Sequence, residues 1–145
     1  MITKKTTHEL LKILSSINST DTLHTFSDEL INSEKNITFS EYLSKKMQEK
    51  NVSPGQLWNR SLIQRNYGYQ ILDGRKTPGR NKVIALCLSL QLSLEETQRA
   101  LALANAGALY PRRKRDSILI FSLEKGLSVM DTNTLLFDFS EETLP

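Results

Sequence analysis

Three stretches of this 145-residue chain carry side chains whose types and spacing could do chemistry. The first is polar, Gln64-Arg65-Asn66-Tyr67-Gly68-Tyr69-Gln70, and offers paired hydrogen-bond donors and acceptors. The second is a basic loop, Arg75-Lys76-Thr77-Pro78-Gly79-Arg80, and the third is the run Arg112-Arg113-Lys114-Arg115. The formal net charge is +3, but residues 39–80 hold eight basic and three acidic side chains, a local excess of +5. Such an excess draws polyanions by counterion release without saying which polyanion. The run at 112–115 is followed at once by Asp116, and a four-residue basic run of this kind is more often a solvated helix start or linker than a binding site.

Catalytic chemistry finds no comparable support. The two histidines, His8 and His24, lie far from each other and from the single cysteine, Cys87. No nucleophile–base set and no zinc-ligand spacing emerges, so neither an enzyme, a metal nor a cofactor is expected. Glu95-Glu96 reads as a helix start and Glu141-Glu142 as a tail, and no glycine-rich phosphate loop is visible. The composition, 39% hydrophobic and 24% charged, is that of an ordinary globular protein. The longest near-apolar run, Val83 to Leu94, falls short of the about 20 residues a bilayer span needs. With no apolar region after Met1-Ile2-Thr3-Lys4-Lys5 and one lone thiol, a cytoplasmic protein away from membranes is expected.

The elements that must position these side chains all read as helices. No sustained two-residue alternation appears. A first helix starts at Thr6 or Thr7, with Leu10, Ile13, Leu14 and Ile17 on one stripe, and a short weak one spans Leu23 to Ile31. Asn32 to Asn36 reads as a linker. Thr38 and Glu41 form a capping box for the next helix, which turns Phe39, Tyr42, Leu43 and Met47 inward and closes at Asn51. Ser53-Pro54 opens a short helix to Arg60, because Ser caps and Pro at the first position forfeits no hydrogen bond. A turn at Ser61 to Ile63 leads to a helix over 64–73, stopped by Gly74. The helix over 80–90 is apolar nearly all round and should be the core. Ser93 and Glu96 cap another, running to Asn105, and two more are expected over 114–125 and 128–139. The domain reading is therefore an N-terminal helical arm, 1–37, a central domain, 38–110, and a C-terminal helical extension, 111–145.

Within residues 39–97 the motifs Val52-Ser53, Leu57, Ile63, then Ile71-Leu72-Asp73-Gly74-Arg75-Lys76-Thr77-Pro78 and Leu92-Ser93-Leu94-Glu95-Glu96 resemble the lambda-repressor/Cro (XRE-type) helix-turn-helix domains. The resemblance implies an all-α fold, a five-helix Cro/cI-type core carrying the arm and two extra C-terminal helices. It further implies a transcriptional regulator that lays its second short helix into the major groove of double-stranded DNA, which is about one helix wide. By that resemblance the base-reading positions are Gln64, Arg65, Asn66 and Gln70. Arg suits guanine, and Gln and Asn suit adenine. Backbone contacts fall to Ser53, Tyr67, Tyr69, Arg75, Lys76, Thr77 and Arg80. Six neutralised phosphates would give a log–log salt slope of roughly −5.

The chain departs from the family at four positions. Trp58 stands where a small residue is usual, Leu62 where the tight turn often has Gly, and Pro54 where a phosphate-binding Gln is common. Gly68 replaces a core Ile or Val in mid-helix, at a propensity cost of about 1 kcal/mol. A large-for-small exchange, with Trp58 filling the space above Gly68, would reconcile two of these and requires a buried Trp58. The departures also sustain an alternative, an adaptor or antitoxin-like protein-interaction module whose arm or C-terminal helices grip another protein. Leu135, Leu136, Phe137 and Phe139 can serve a homodimer or simply finish the core, and both readings stay open at this point.

Overall fold

A computed structural model describes residues 9, 11, 12, 15 and 37–145. The chain divides into two compact units, Met1–Thr38 and Phe39–Pro145. Of the first, Glu9, Leu11, Lys12 and Ser15 are helical and exposed, Ile37 and Thr38 lie outside any helix, and Ser15 Oγ donates to the Lys12 carbonyl at 2.8 Å. The rest of the helices expected over 6–17 and 23–31, and both histidines, lie outside the described residues.

The second unit is all-helical. Its elements are α1 (Phe39–Lys50), α2 (Pro54–Ser61), α3 (Arg65–Leu72), α4 (Arg80–Ser89), α5 (Leu94–Leu103), α6 (Lys114–Lys125) and α7 (Val129–Asp138). α4 is the axle. Every residue from Val83 to Leu90 is buried, because α2, α5, α6 and α7 all pack around it. α1 covers α3 and α5 with Phe39, Leu43 and Met47, and Tyr42 Oη donates to the Glu96 carbonyl at 3.0 Å.

One hairpin device recurs. α1, α4 and α6 each end on a left-handed residue, Asn51 (φ 55°), Gln91 (φ 53°) and Gly126 (φ 66°). The next residue's N–H reaches back to the last turn, as in Leu92 N–H to Cys87 O at 3.0 Å and Leu127 N–H to Ser122 O at 3.0 Å. A capping serine comes immediately after: Ser53, Ser93 or Ser128. α5 stops at Leu103, two residues before the expected end at Asn105, which takes φ 53° in the C-terminal turn. The C-terminal helices belong to the same compact unit as residues 39–110, since α6 and α7 bury Leu119, Leu123, Val129 and Leu136 against the α4–α5 pair.

Candidate nucleic-acid interface

The polar stretch sits on α3, and α2 with the turn decides how it is presented. Ser53 Oγ accepts from Gln56 N–H at 3.3 Å while Gln56 Oε1 accepts from Ser53 N–H at 2.9 Å, so two otherwise orphaned donors are satisfied reciprocally. Leu57 and Trp58 are buried from α2. The chain then reverses through Leu62, which holds φ 61°, ψ 24° with a side chain 55% exposed. The left-handed geometry that Gly adopts most readily is here imposed on a Leu. Gln64 caps α3, its Oε1 accepting from Tyr67 N–H at 3.3 Å.

Trp58 and Gly68 make the close contact. The indole is buried, and a Cβ built on Gly68 would lie 2.6–2.7 Å from three of its ring atoms. Gly68 is therefore the one residue type that lets α3 approach this ring. The indole also meets Tyr69 edge to face, with centroids 5.6 Å apart and planes at 74°. The Arg65 guanidinium lies 5.5 Å above the Tyr69 ring, and the Lys82 ammonium from α4 lies 5.4 Å above Tyr67. A stack of Trp58, Tyr69 and Arg65 thus runs from core to surface and restricts where Arg65 can point. The indole Nε1 and the Ser61 Oγ are buried without a hydrogen-bond partner among the described residues.

The outward edge of α3 consists of Gln64, Arg65, Asn66 and Tyr69, all exposed. Gln70 is half-buried beside it, and its carbonyl accepts from Lys76 N–H at 3.0 Å. One turn further on, Tyr69 follows Arg65 and Gln70 follows Asn66 at the i+4 spacing of one face, and of the two Tyr69 is the more exposed. Tyr67 is half-buried under Lys82.

The expected backbone-binding residues divide. Ser53, Lys76 and Thr77 are exposed. Arg75 is exposed but paired with Asp73 at 2.7 Å, and its side chain and N–H hold the Asp73 carboxyl below the usual carboxylate range. Arg80, expected among them, is engaged elsewhere. Its Nε donates to Gly107 O at 2.8 Å, its Nη2 to Ala108 O at 2.7 Å, and both Nη atoms to the buried Asp116 carboxylate at 3.1 and 2.9 Å. A guanidinium with all those bonds is a strut between α4 and α6, not a free phosphate ligand. Burial would push the Asp116 carboxyl up, but the Arg80 bonds, the Tyr110 N–H at 2.9 Å and the Arg80 charge bring it below its ordinary value. Lys82, not singled out in the sequence, supplies a cation at this face that only the packing of α4 beside α3 could place.

Among the described residues no three His, Cys, Asp or Glu side chains come close enough to hold a metal ion, and no helix is long and apolar enough to cross a membrane. Cys87 is buried, and desolvation pushes its thiol up to about 12. No family model matches the chain, and no curated protein or solved structure matches it either.

Proposed function

We propose that this protein is a sequence-specific double-stranded DNA-binding regulator that reads the major groove with α3. One observation carries the reading: α3 turns its apolar side onto Trp58 while Gln64, Arg65, Asn66 and Tyr69 face solvent in a row. An Arg held at 5.5 Å over an aromatic ring loses less freedom on meeting a guanine edge than an unsupported one. Asn66 offers an amide that pairs with adenine, and Tyr69 can pack along the thymine methyls or donate to phosphate. Gln64 keeps its NH2 group for an acceptor while its oxygen serves the cap. Backbone contacts in this reading come from Ser53 and the α2 N-terminus, from Lys76 and Thr77 beyond α3, and from Lys82, with Arg75 contributing a charge already partly offset by Asp73.

Selection from a random duplex library at moderate salt tests this directly, because it reports binding and the operator together. A defined motif whose recovery is lost in an Arg65→Ala/Asn66→Ala variant, but kept after deletion of residues 1–37, is the expected outcome. Failure to enrich any sequence at low salt would remove the reading. The alternative, a protein-interaction module on the same scaffold, draws support from the large apolar side chains exposed on α6 and α7, and co-purification with a protein and no DNA affinity would favour it.

A further inference from the structure

The α4–α5 hairpin and the α6–α7 hairpin are two copies of one unit at a constant offset of 35 residues, the step from Ser93 to Ser128. The correspondence extends to single hydrogen bonds. Thr97 and Thr132 each donate to their capping serine's carbonyl at 2.8 Å. The Gln98 amide clamps the backbone of Leu109 at both N–H and C=O, at 2.8 and 2.8 Å, and the Asn133 amide clamps Leu144 likewise, at 2.7 and 3.0 Å. Asn105 and Ser140 both take left-handed φ. Arg80 Nε donates to Gly107 O at 2.8 Å, and Arg115 Nε donates to Glu142 O at 2.9 Å. Tandem units stack in one orientation, so equivalent loops emerge along a common edge.

The offset makes two basic loops equivalent. Arg75-Lys76-Thr77-Pro78-Gly79 leads to Arg80, and Tyr110-Pro111-Arg112-Arg113-Lys114 leads to Arg115. The helices that follow start side by side, because Arg80, the first residue of α4, holds Asp116, the third residue of α6, at 2.9 Å. In the same first turn of α4, Lys82 lies over Tyr67 of α3 at 5.4 Å. The two loops therefore stand next to one another on an edge that α3 borders.

The second loop has two uncommitted cations. Lys114 Nζ donates to Phe139 O at 2.6 Å and Arg115 Nε to Glu142 O at 2.9 Å, so both are tied to the tail. Arg112 and Arg113 are exposed, and neither forms an ion pair among the described residues. The nearby acids leave them so. Asp116 is closed on Arg80 and the Tyr110 N–H, and Glu141 and Glu142 of the tail pair with neither arginine. The Arg113 guanidinium rests 5.5 Å over the exposed Tyr110 ring, as Arg65 rests over Tyr69. Support of this kind lowers the freedom an arginine gives up on meeting a phosphate.

We propose that Arg112 and Arg113 form a second contact to the duplex backbone, extending the footprint beyond the phosphates met by Lys76 and Thr77. The proposal rests on the reading of α3 as the DNA-facing helix. Packed helices lie about 10 Å apart, so equivalent loops on α4 and α6 are separated by about three base-pair steps of about 3.4 Å. The guanidinium fork suits phosphate oxygens, and such contacts add affinity without sequence information.

An Arg112→Ala/Arg113→Ala variant of the full chain tests this, titrated across a salt series against the selected duplex and a random-sequence duplex of equal length. Two lost phosphate contacts should make the log–log slope shallower by about 1.8 on both duplexes. The wild type should accordingly lose about tenfold more affinity than the variant between 50 and 200 mM salt. The preferred sequence should be unchanged, hydroxyl-radical protection should shorten by about three base pairs, and Arg112→Lys/Arg113→Lys should keep the wild-type slope. An unchanged slope and footprint, with sequence preference intact, would overturn this proposal and leave the α3 reading standing. So would a Lys variant that loses the slope as the Ala variant does, since charge would not then be what the duplex meets. The predicted slope change with no sequence preference would uphold the phosphate contact and remove the α3 reading. No affinity for either duplex at low salt would end both.

Discussion

At the level of single residues the α2–α3 contact makes an unusual demand, because an ordinarily stabilising change should harm it. Gly68→Ala in a mid-helix site gains about 1 kcal/mol of helix propensity. The new methyl, however, would lie 2.6 Å from Cδ2 of a buried indole already packed against Tyr69, and overpacking of that kind costs about 1–3 kcal/mol. We expect Gly68→Ala to lower the urea midpoint, and the same change in a Trp58→Leu background to raise it. A destabilising sign in both backgrounds would mean that Trp58 is not what excludes the methyl. Leu62 gives the opposite case. Its side chain is 55% exposed and its φ is 61°, so Leu62→Gly sheds left-handed strain of about 1 kcal/mol while giving up little buried surface. A rise in melting temperature with no loss of helicity is the expected result. The Cys87 thiol, pushed up to about 12 by burial, should label with a thiol reagent only as fast as the protein opens.

Between elements the most consequential bond is Arg80 to Asp116, which joins α4 to α6 and carries the Tyr110 backbone as well. Asp116→Asn leaves the Arg80 charge without its partner and should destabilise the domain by about 2–3 kcal/mol. The pH dependence has a definite sign. The folded-state pKa lies below the ordinary value of 3.8, so the stabilisation is fully present above that value and is lost as the pH falls through the folded pKa. The wild type should therefore lose stability on acidification below about pH 4 more steeply than Asp116→Asn, as followed by denaturant melts. Much of this architecture is legible in the chain of residues. Ser-Pro, Ser-x-x-Glu and the closing Asn and Gly mark the limits of α1, α2, α5 and α6 within a residue or two, because caps act locally. The Trp58–Gly68 exchange is legible too, since it concerns volumes one helix crossing apart. The role of Arg80 is not, because its carboxylate lies 36 positions on and belongs to another helix. Nor is the 35-residue repeat apparent, since it is written in a few spaced identities, such as Leu92 and Leu127, and in hydrogen bonds that sequence alone does not display.

For the whole molecule, the proposed reading of DNA by α3 turns on how many cations would face the groove together. Treating the entire basic window as one footprint implies about six phosphates and a log–log slope near −5. The fold divides that charge: Arg80 is bound into the α4–α6 joint, and Arg75 is half-neutralised by Asp73. Arg65, Lys76 and Lys82 remain around α3, together with part of Arg75. A single α3 face should then show a slope of about −3, each neutralised phosphate contributing about −0.9. Lys76→Ala and Lys82→Ala should each make the slope shallower by about one unit, with the preferred sequence unchanged. Arg80→Ala, measured at a temperature where the variant stays folded, should leave the slope where it was, since that guanidinium is committed to Asp116, Gly107 and Ala108. Fluorescence anisotropy of the selected duplex across a salt series distinguishes these outcomes. A wild-type slope near −5 that Arg80→Ala reduces would mean that DNA draws this arginine out of its strut, and the α4–α6 joint would have to open on binding.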